Sequence, residues 1–219
     1  MTAGMEFGGA WEIDELMARP SGWVPWILTA PQRREPGSAF AYDNVAIHVL
    51  GAALAAAVGA PLSEHAARHL FDPLAIDSFE WPRDPDGSDF GWGHVRLRPR
   101  DIARLGELYL GGGSHGGRSV TSPGLVAEAT RAQTPGGPPE GAGYGFLWWT
   151  ADEPLRHFFA AGYAGQSLTV IPELELVAVT TGDEALLGPG WRNARHAVLE
   201  VFGGCSVEDD ELTRGRSRP

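Results

Sequence analysis

With 219 residues, 43% hydrophobic and 21% charged, the chain is long and apolar enough for one cored domain, or one domain with a lobe. A net charge of −11 excludes a nucleic-acid surface built on clustered cations, and the single cysteine, Cys205, excludes an intrachain disulfide. All 17 basic side chains are arginines, so the chain has no lysine at all.

The N-terminal MTAGMEFGG has neither a basic nor an apolar region, so it does not read as a signal peptide, and a cytoplasmic chain is the expectation. Residues 1–35 read as irregular, with Trp11, Trp23 and Trp26 among prolines. Pro36-Gly37 marks a turn. A helix is predicted from about Tyr42 to Val58, with Asn44 near its start. Its alanine-rich run from Val45 to Val58 is too short to span a bilayer and reads as a buried helix.

Gly59-Ala60-Pro61 ends that helix, and LSEHAARHLF (62–71) follows as a short amphipathic one, stopped by Asp72-Pro73. Residues 77–93 read as a loop. Pro99 and Asp101 suit the first turn of the next helix, where Ile102, Leu105 and Tyr109 form an apolar stripe. GGGSHGG (111–117) breaks it. Ser122-Pro123 opens a short helix to about Arg131, and TPGGPPEGAG reads as a loop.

Four β-rich runs come next: YGFLWW (144–149), LRHFFAA (155–161), QSLTVI (166–171) and ELVAVTT (175–181). Residues 172–174 would join the last two as a hairpin. WRNARHAVLEVF (191–202) reads as a closing helix, and 203–219 as a disordered tail after a domain spanning 1–202. Helices followed by strands predict an α+β fold, with flanking helices on an antiparallel sheet of three or four strands, which has an open edge unless something covers it.

Several residues could carry chemistry. Tyr42 and Asn44, two apart, form a short motif that also fits a tyrosine packed at a helix start with an asparagine cap. Gly112-Gly113-Ser114-His115-Gly116 fits the Gly-x-Ser-x-Gly formula, but the strand–turn–helix context of a nucleophile elbow is absent. His65 and His69 share a helix face without a third ligand at matching spacing, so a solvated face is the simpler reading. Asp101 and Glu107 read as helix-face charges, and Trp148-Trp149 as core. Cys205 has no neighbouring histidine to activate it.

Six segments in one order resemble the serine hydrolases related to β-lactamases and penicillin-binding proteins. Met1-Thr2-Ala3-Gly4 resembles the end of their LLTHTSG segment, and PGSAFAYDN resembles PGxxFxYSN. LFDPLAI (70–76) is similar to LFxPLGM, and RPRDIARLGELYL (98–110) to xxRDLARFGxLxL. YGFLWW is similar to YGYGWW, and AAGYAGQSLTVIPELELVAVTT (160–181) to the GxGGQxxxVxPxxxLVVVxxT end.

The resemblance implies a partial β-lactamase-like fold, lacking the N-terminal strands and the helix that bears the nucleophile. It implies acyl-enzyme chemistry on esters or amides without a metal or other cofactor. Tyr42 would move a proton, and Asn44 would orient the substrate or a lysine. Gly162 and Gly165 would let substrate lie along the strand, and Tyr163 would offer its backbone N–H to the oxyanion. Two departures stand out. No serine is followed three residues later by lysine, and Ala160 occupies a place where relatives carry lysine or histidine. Loss of that cation points away from penicillin-type carboxylates and toward esters or small amides. The expectation is a small-molecule hydrolase that is inactive as this chain, with a non-catalytic binding remnant as the alternative. Its oligomeric state is open.

Overall fold

The computed structural model describes residues 1–5, 13–183 and 194–203. Among these, the helices are α1 (Ile13–Met17), α2 (Trp23–Ile27), α3 (Asn44–Val58), α4 (Leu62–Ala66), α5 (Pro99–Leu110), α6 (Pro123–Ala129) and α7 (Ala194–Gly203). Strands β1 (Ser114–His115) and β2 (Arg118–Ser119) form a small hairpin. Strands β3 (Thr134–Gly137), β4 (Ala142–Tyr144), β5 (Trp149–Ala151), β6 (His157–Ala161), β7 (Ser167–Ile171) and β8 (Leu176–Thr180) form one antiparallel sheet in chain order. The fold is α+β, as expected.

Alternation along β6 explains how both faces of the sheet are used. Phe158 points into a cluster with Trp148, Leu168 and Val170, covered by Ile102, Leu105 and Tyr109 of α5. Phe159, fully buried, points the other way, into a cluster with Ala142, Tyr144 and Trp149. A side chain of that size so placed contributes about 2–3 kcal/mol. Gly106 lets α5 sit close to the sheet, because a Cβ there would lie 2.6 Å from Val177 Cγ1 and 2.9 Å from Leu168 Cδ1. Val198 and Leu199 of α7 cover Ile171 of β7.

A second core lies at the N-terminal side. Leu16, Trp23 and Ile27 pack with Val45 and Phe90, tying α1 and α2 to α3. Beneath them, His48 is fully buried between Trp23, Phe90 and Trp92. The N–H of Gly91 donates to its Nδ1, so the ring proton sits on Nε2, 3.0 Å from Asp84 Oδ2. Asp84 Oδ1 accepts from the N–H groups of Asp86 and Ser88. The predicted 77–93 loop is therefore fastened to α3 through both ring nitrogens of His48.

The structure corrects several expectations. The segment 1–35 contains α1 and α2, short helices held by burial of Leu16, Trp23 and Ile27 rather than by local propensity. The predicted TPGGPPEGAG loop supplies β3 and the start of β4, so the sheet has six strands rather than three or four. YGFLWW is not one strand: β4 ends at Tyr144, a turn follows, and β5 begins at Trp149. GGGSHGG carries the β1–β2 hairpin. Helix α3 is buried along Val45, Ile47, His48 and Gly51, yet Leu50, Leu54 and Val58 are exposed on its other side. Among the described residues no single helix is long and apolar enough to cross a membrane. Asp101 is not a solvated charge. It is 2% exposed and accepts from Arg104, whose guanidinium also donates to the Ala75 carbonyl. Residues 191–193, Cys205 and the tail from 204 lie outside the described residues.

Candidate active site

The Tyr42 segment is held from below by the chain's first residues. Ala41 N–H donates to the Met1 carbonyl and Gly37 N–H to that of Thr2, while Gly4 O accepts from Arg33 and Arg34. Asp43 then takes an extended conformation and accepts the Ala46 N–H at 2.9 Å, starting α3. The cap is thus Asp43, and Asn44 is the first helical residue rather than the cap. Tyr42 directly precedes this cap, and its side chain turns to the sheet.

There it meets the cluster around Phe159. The Tyr42 ring stacks on Trp149 at 5.3 Å and 21°, and meets Tyr144 edge-on at 6.3 Å. Phe40 packs against the same two rings. Trp149 stacks on Phe159, its partner across β5 and β6. Ala161, the last residue of β6, packs on this cluster too. Two segments more than a hundred residues apart in sequence therefore meet: the one carrying Tyr42 and the strand end carrying Ala160-Ala161-Gly162.

Beyond Ala161 the backbone makes a closed turn. Gly162 N–H donates to Gln166 O at 2.7 Å, and Thr180 Oγ1 donates to Gly165 O at 2.9 Å. Within the turn Ala164 and Gly165 have positive φ, Ala164 is buried, and Tyr163 is 59% exposed. Gly162, Tyr163 and Gly165 thus sit together, on the sheet end next to Tyr42's cluster. Asn44, two residues after Tyr42, is the first residue of α3.

Electrostatics at Tyr42 are one-sided. Burial, helped by the Glu140 charge, raises its phenol above the ordinary value. Burial likewise raises Glu140, against the pull of Arg195, and raises Asp43 despite its helix-capping hydrogen bonds. A cavity of about 300 Å³ lies on the other side of the segment, lined among others by Met1, Met5, Asp43, Ile47 and Leu50.

The remaining candidates fall elsewhere. Ser114 sits on β1 after a helix, without the strand and following helix of an elbow. His65 and His69 face each other at 4.5 Å, and among the described residues no group of three potential metal ligands gathers. Trp148 and Trp149 are core, as read, but Trp149 is also the platform for Tyr42. Sequence reasoning missed Phe40 and Glu140. Phe40 lies inside the PGSAFAYDN segment, whereas Glu140 reaches this region only through the β3–β4 turn and carries no local signal.

Comparison with known proteins gives a consistent picture. The β-lactamase family model matches residues 1–199. The fold is similar to a protein assigned as a 6-aminohexanoate-dimer hydrolase from Bacillus anthracis, with TM-score 0.74 and 19% identity over 92% of this chain. It is also similar to the octameric penicillin-binding protein homologue of Pyrococcus abyssi (TM-score 0.69, 16% identity, 92% of this chain and 54% of that one). A third match is EstCE1, a hydrolase with promiscuous acyltransferase activity (TM-score 0.64, 20% identity, 83% of this chain and 64% of that one). The chain spans 55% of the Bacillus protein. No curated protein sequence matches it.

Proposed function

The chain belongs to the β-lactamase family, and from that premise we propose that it is the C-terminal part of a serine hydrolase cleaving esters or small amides through an acyl-enzyme. The observation that carries this reading is the stacking of Tyr42 on Trp149 in the cluster that also receives Ala161. It supports the reading because Tyr42, the phenol proposed to move a proton, packs on the same cluster as Ala161, at the strand end proposed to hold the carbonyl.

In this reading the serine and its lysine are supplied from outside this chain. The serine attacks the carbonyl while the lysine takes its hydroxyl proton, Tyr42 passes that proton to the leaving alcohol or amine, water then cleaves the acyl-enzyme to the acid and restores the serine, and Asn44 orients the substrate. The Tyr163 N–H faces the developing oxyanion, and Gly162 and Gly165 leave room along the strand. The phenol of Tyr42, raised by burial and by Glu140, stays protonated at neutral pH. It can donate a proton but cannot accept one until a cation such as lysine is placed near it. Ala160 pairs with Leu168 and brings no charge, so a substrate carboxylate finds no partner there. Esters and neutral amides fit this better than penicillins.

The test is labelling by a fluorophosphonate. The purified 219-residue chain stays unlabelled. A protein extended with the in-frame upstream sequence is labelled on a serine, and Tyr42→Phe lowers its turnover about 100-fold or more. Labelling of the 219-residue chain itself sinks this reading.

A second reading, a binding module without catalysis, is favoured by the absence of lysine together with the cavity beside α3. A stop codon shortly upstream of Met1 supports it. An upstream Ser-x-x-Lys supports the enzyme.

A further inference from the structure

Three motif positions that are glycine in the family pattern carry a side chain here: Ala75 in LFxPLGM, Leu147 in YGYGWW and Ala164 in GxGGQ. All three have left-handed backbone, with φ of 54°, 63° and 59°. Glycine adopts that region freely, whereas a Cβ opposes it. At each of the three, this chain adopts a left-handed backbone without the residue that suits it best. Alanine does this at the smallest steric cost. Leu147 is the outlier, because a bulky side chain at positive φ persists only where its surroundings impose it.

Here they do impose it. Gly145 N–H donates to Trp148 O, Leu147 N–H to Gly145 O, and Phe146 N–H to Ala129 O at the end of α6. Trp148 and Trp149 anchor the turn in clusters on opposite faces of the sheet. The turn is fixed, yet Phe146 is 51% and Leu147 49% exposed. Folding stability does not account for a leucine that is half in water on a backbone it disfavours.

Strand register says where the turn displays these side chains. Trp149 pairs with Phe159 and Ala151 with His157. The turn before β5 therefore lies at the end of the sheet where β6 finishes at Ala161, beside the turn that exposes Tyr163. Phe146, Leu147 and Tyr163 are uncharged and stand at one sheet end, and Tyr42 stacks on Trp149 at the same end.

We propose that Phe146 and Leu147 form an apolar subsite that selects substrates by the length of a neutral, hydrophobic acyl chain. The substrate class rests on the hydrolase reading, while the location rests on the turn and the register. The test is an NMR titration of the 219-residue chain with butyramide, hexanamide and octanamide, following the backbone amides of 145–148 and 162–165. Affinity rises about tenfold from butyramide to octanamide, as for four methylenes leaving water in part. Leu147→Gly, which suits the φ of 63°, and Phe146→Ser each cut that gain to about twofold, while Leu147→Met keeps it. No gain with chain length in the unaltered chain, or a full gain retained in both Leu147→Gly and Phe146→Ser, overturns the proposal. These affinities need no turnover, so the hydrolase reading stands or falls separately on the labelling of the upstream-extended protein.

Discussion

At Tyr42, burial and the Glu140 carboxylate both hold the phenol in its protonated form, which limits the proposed role of this residue to proton donation unless a cation stands beside it. Backbone strain acts at the same scale. Ala75, exposed after the turn Asp72–Leu74, has φ of 54° and no burial to compensate for it. Its N–H and carbonyl are both used, by Asp72 O and by Arg104, so the conformation is held whatever the side chain. Ala75→Gly leaves those bonds intact and removes the strained Cβ. The variant is expected to be about 1 kcal/mol more stable, net of the extra chain entropy of glycine. Ala75→Val is expected to lose stability, because a β-branched side chain suits positive φ worst. Urea unfolding followed by circular dichroism measures both, and a less stable glycine variant would show that Ala75 is not strained.

Helix α3 links the site to the scaffold, and its first turn depends on Asp43. The Asp43 carboxylate accepts the Ala46 N–H, yet burial raises its pKa, so the cap is useful and its charge is not. Asp43→Asn keeps an equally good cap without the charge and is expected to match or exceed the original stability at pH 7. Asp43→Ala loses the cap and about 1 kcal/mol. Thermal melts of the two variants separate capping from charge, and equal losses in both would refute the distinction. The helices from α3 to α6 and the strands β6 to β8 were legible in the sequence, because their apolar spacing and turn residues are local signals. Strand β3, with Pro135 and two glycines, was not, since only pairing with β4 makes it a strand. Helix α2 holds Pro25 and exists because Trp23 and Ile27 are buried against α3. YGFLWW misled for the opposite reason. Its composition is that of a strand, but the chain turns at Leu147, whose positive φ no residue type in the run signals. Of the candidate site, Tyr42 and the glycines after β6 stand out in the sequence through their motifs. Their meeting depends on the register of β5 and β6 and on the Met1–Gly4 contacts, which no short window contains.

At the scale of the whole molecule, the face of the sheet that receives Tyr42 also holds ionisable groups whose charged forms are disfavoured. His157 is 2% exposed, donates through Nδ1 to Leu155 O and stacks on Phe159, and its pKa is lowered chiefly by burial. Arg195 of α7 lies over the same Phe159 ring. Glu140, in the β3–β4 turn, feels Arg195, but burial raises its pKa on balance. These shifts act on stability with opposite signs. A histidine with a lowered folded pKa destabilises the fold as pH drops through its ordinary 6.5, because the unfolded chain then binds the proton more readily. A carboxylate with a raised folded pKa does the reverse. Its penalty is full at neutral pH and vanishes as pH falls through its folded pKa to its ordinary 4.5. Glu140→Gln is therefore expected to raise the melting temperature at pH 7.5, with the advantage fading by about pH 4. His157→Phe is expected to cost stability at pH 8 by losing the Leu155 hydrogen bond, and that cost should shrink between pH 7 and pH 5 as the original protein loses its own acid limb. Melting curves across this range decide both. A Glu140→Gln advantage that persists at pH 4, or a His157→Phe deficit that is constant with pH, would mean that packing rather than charge sets the stability of this face.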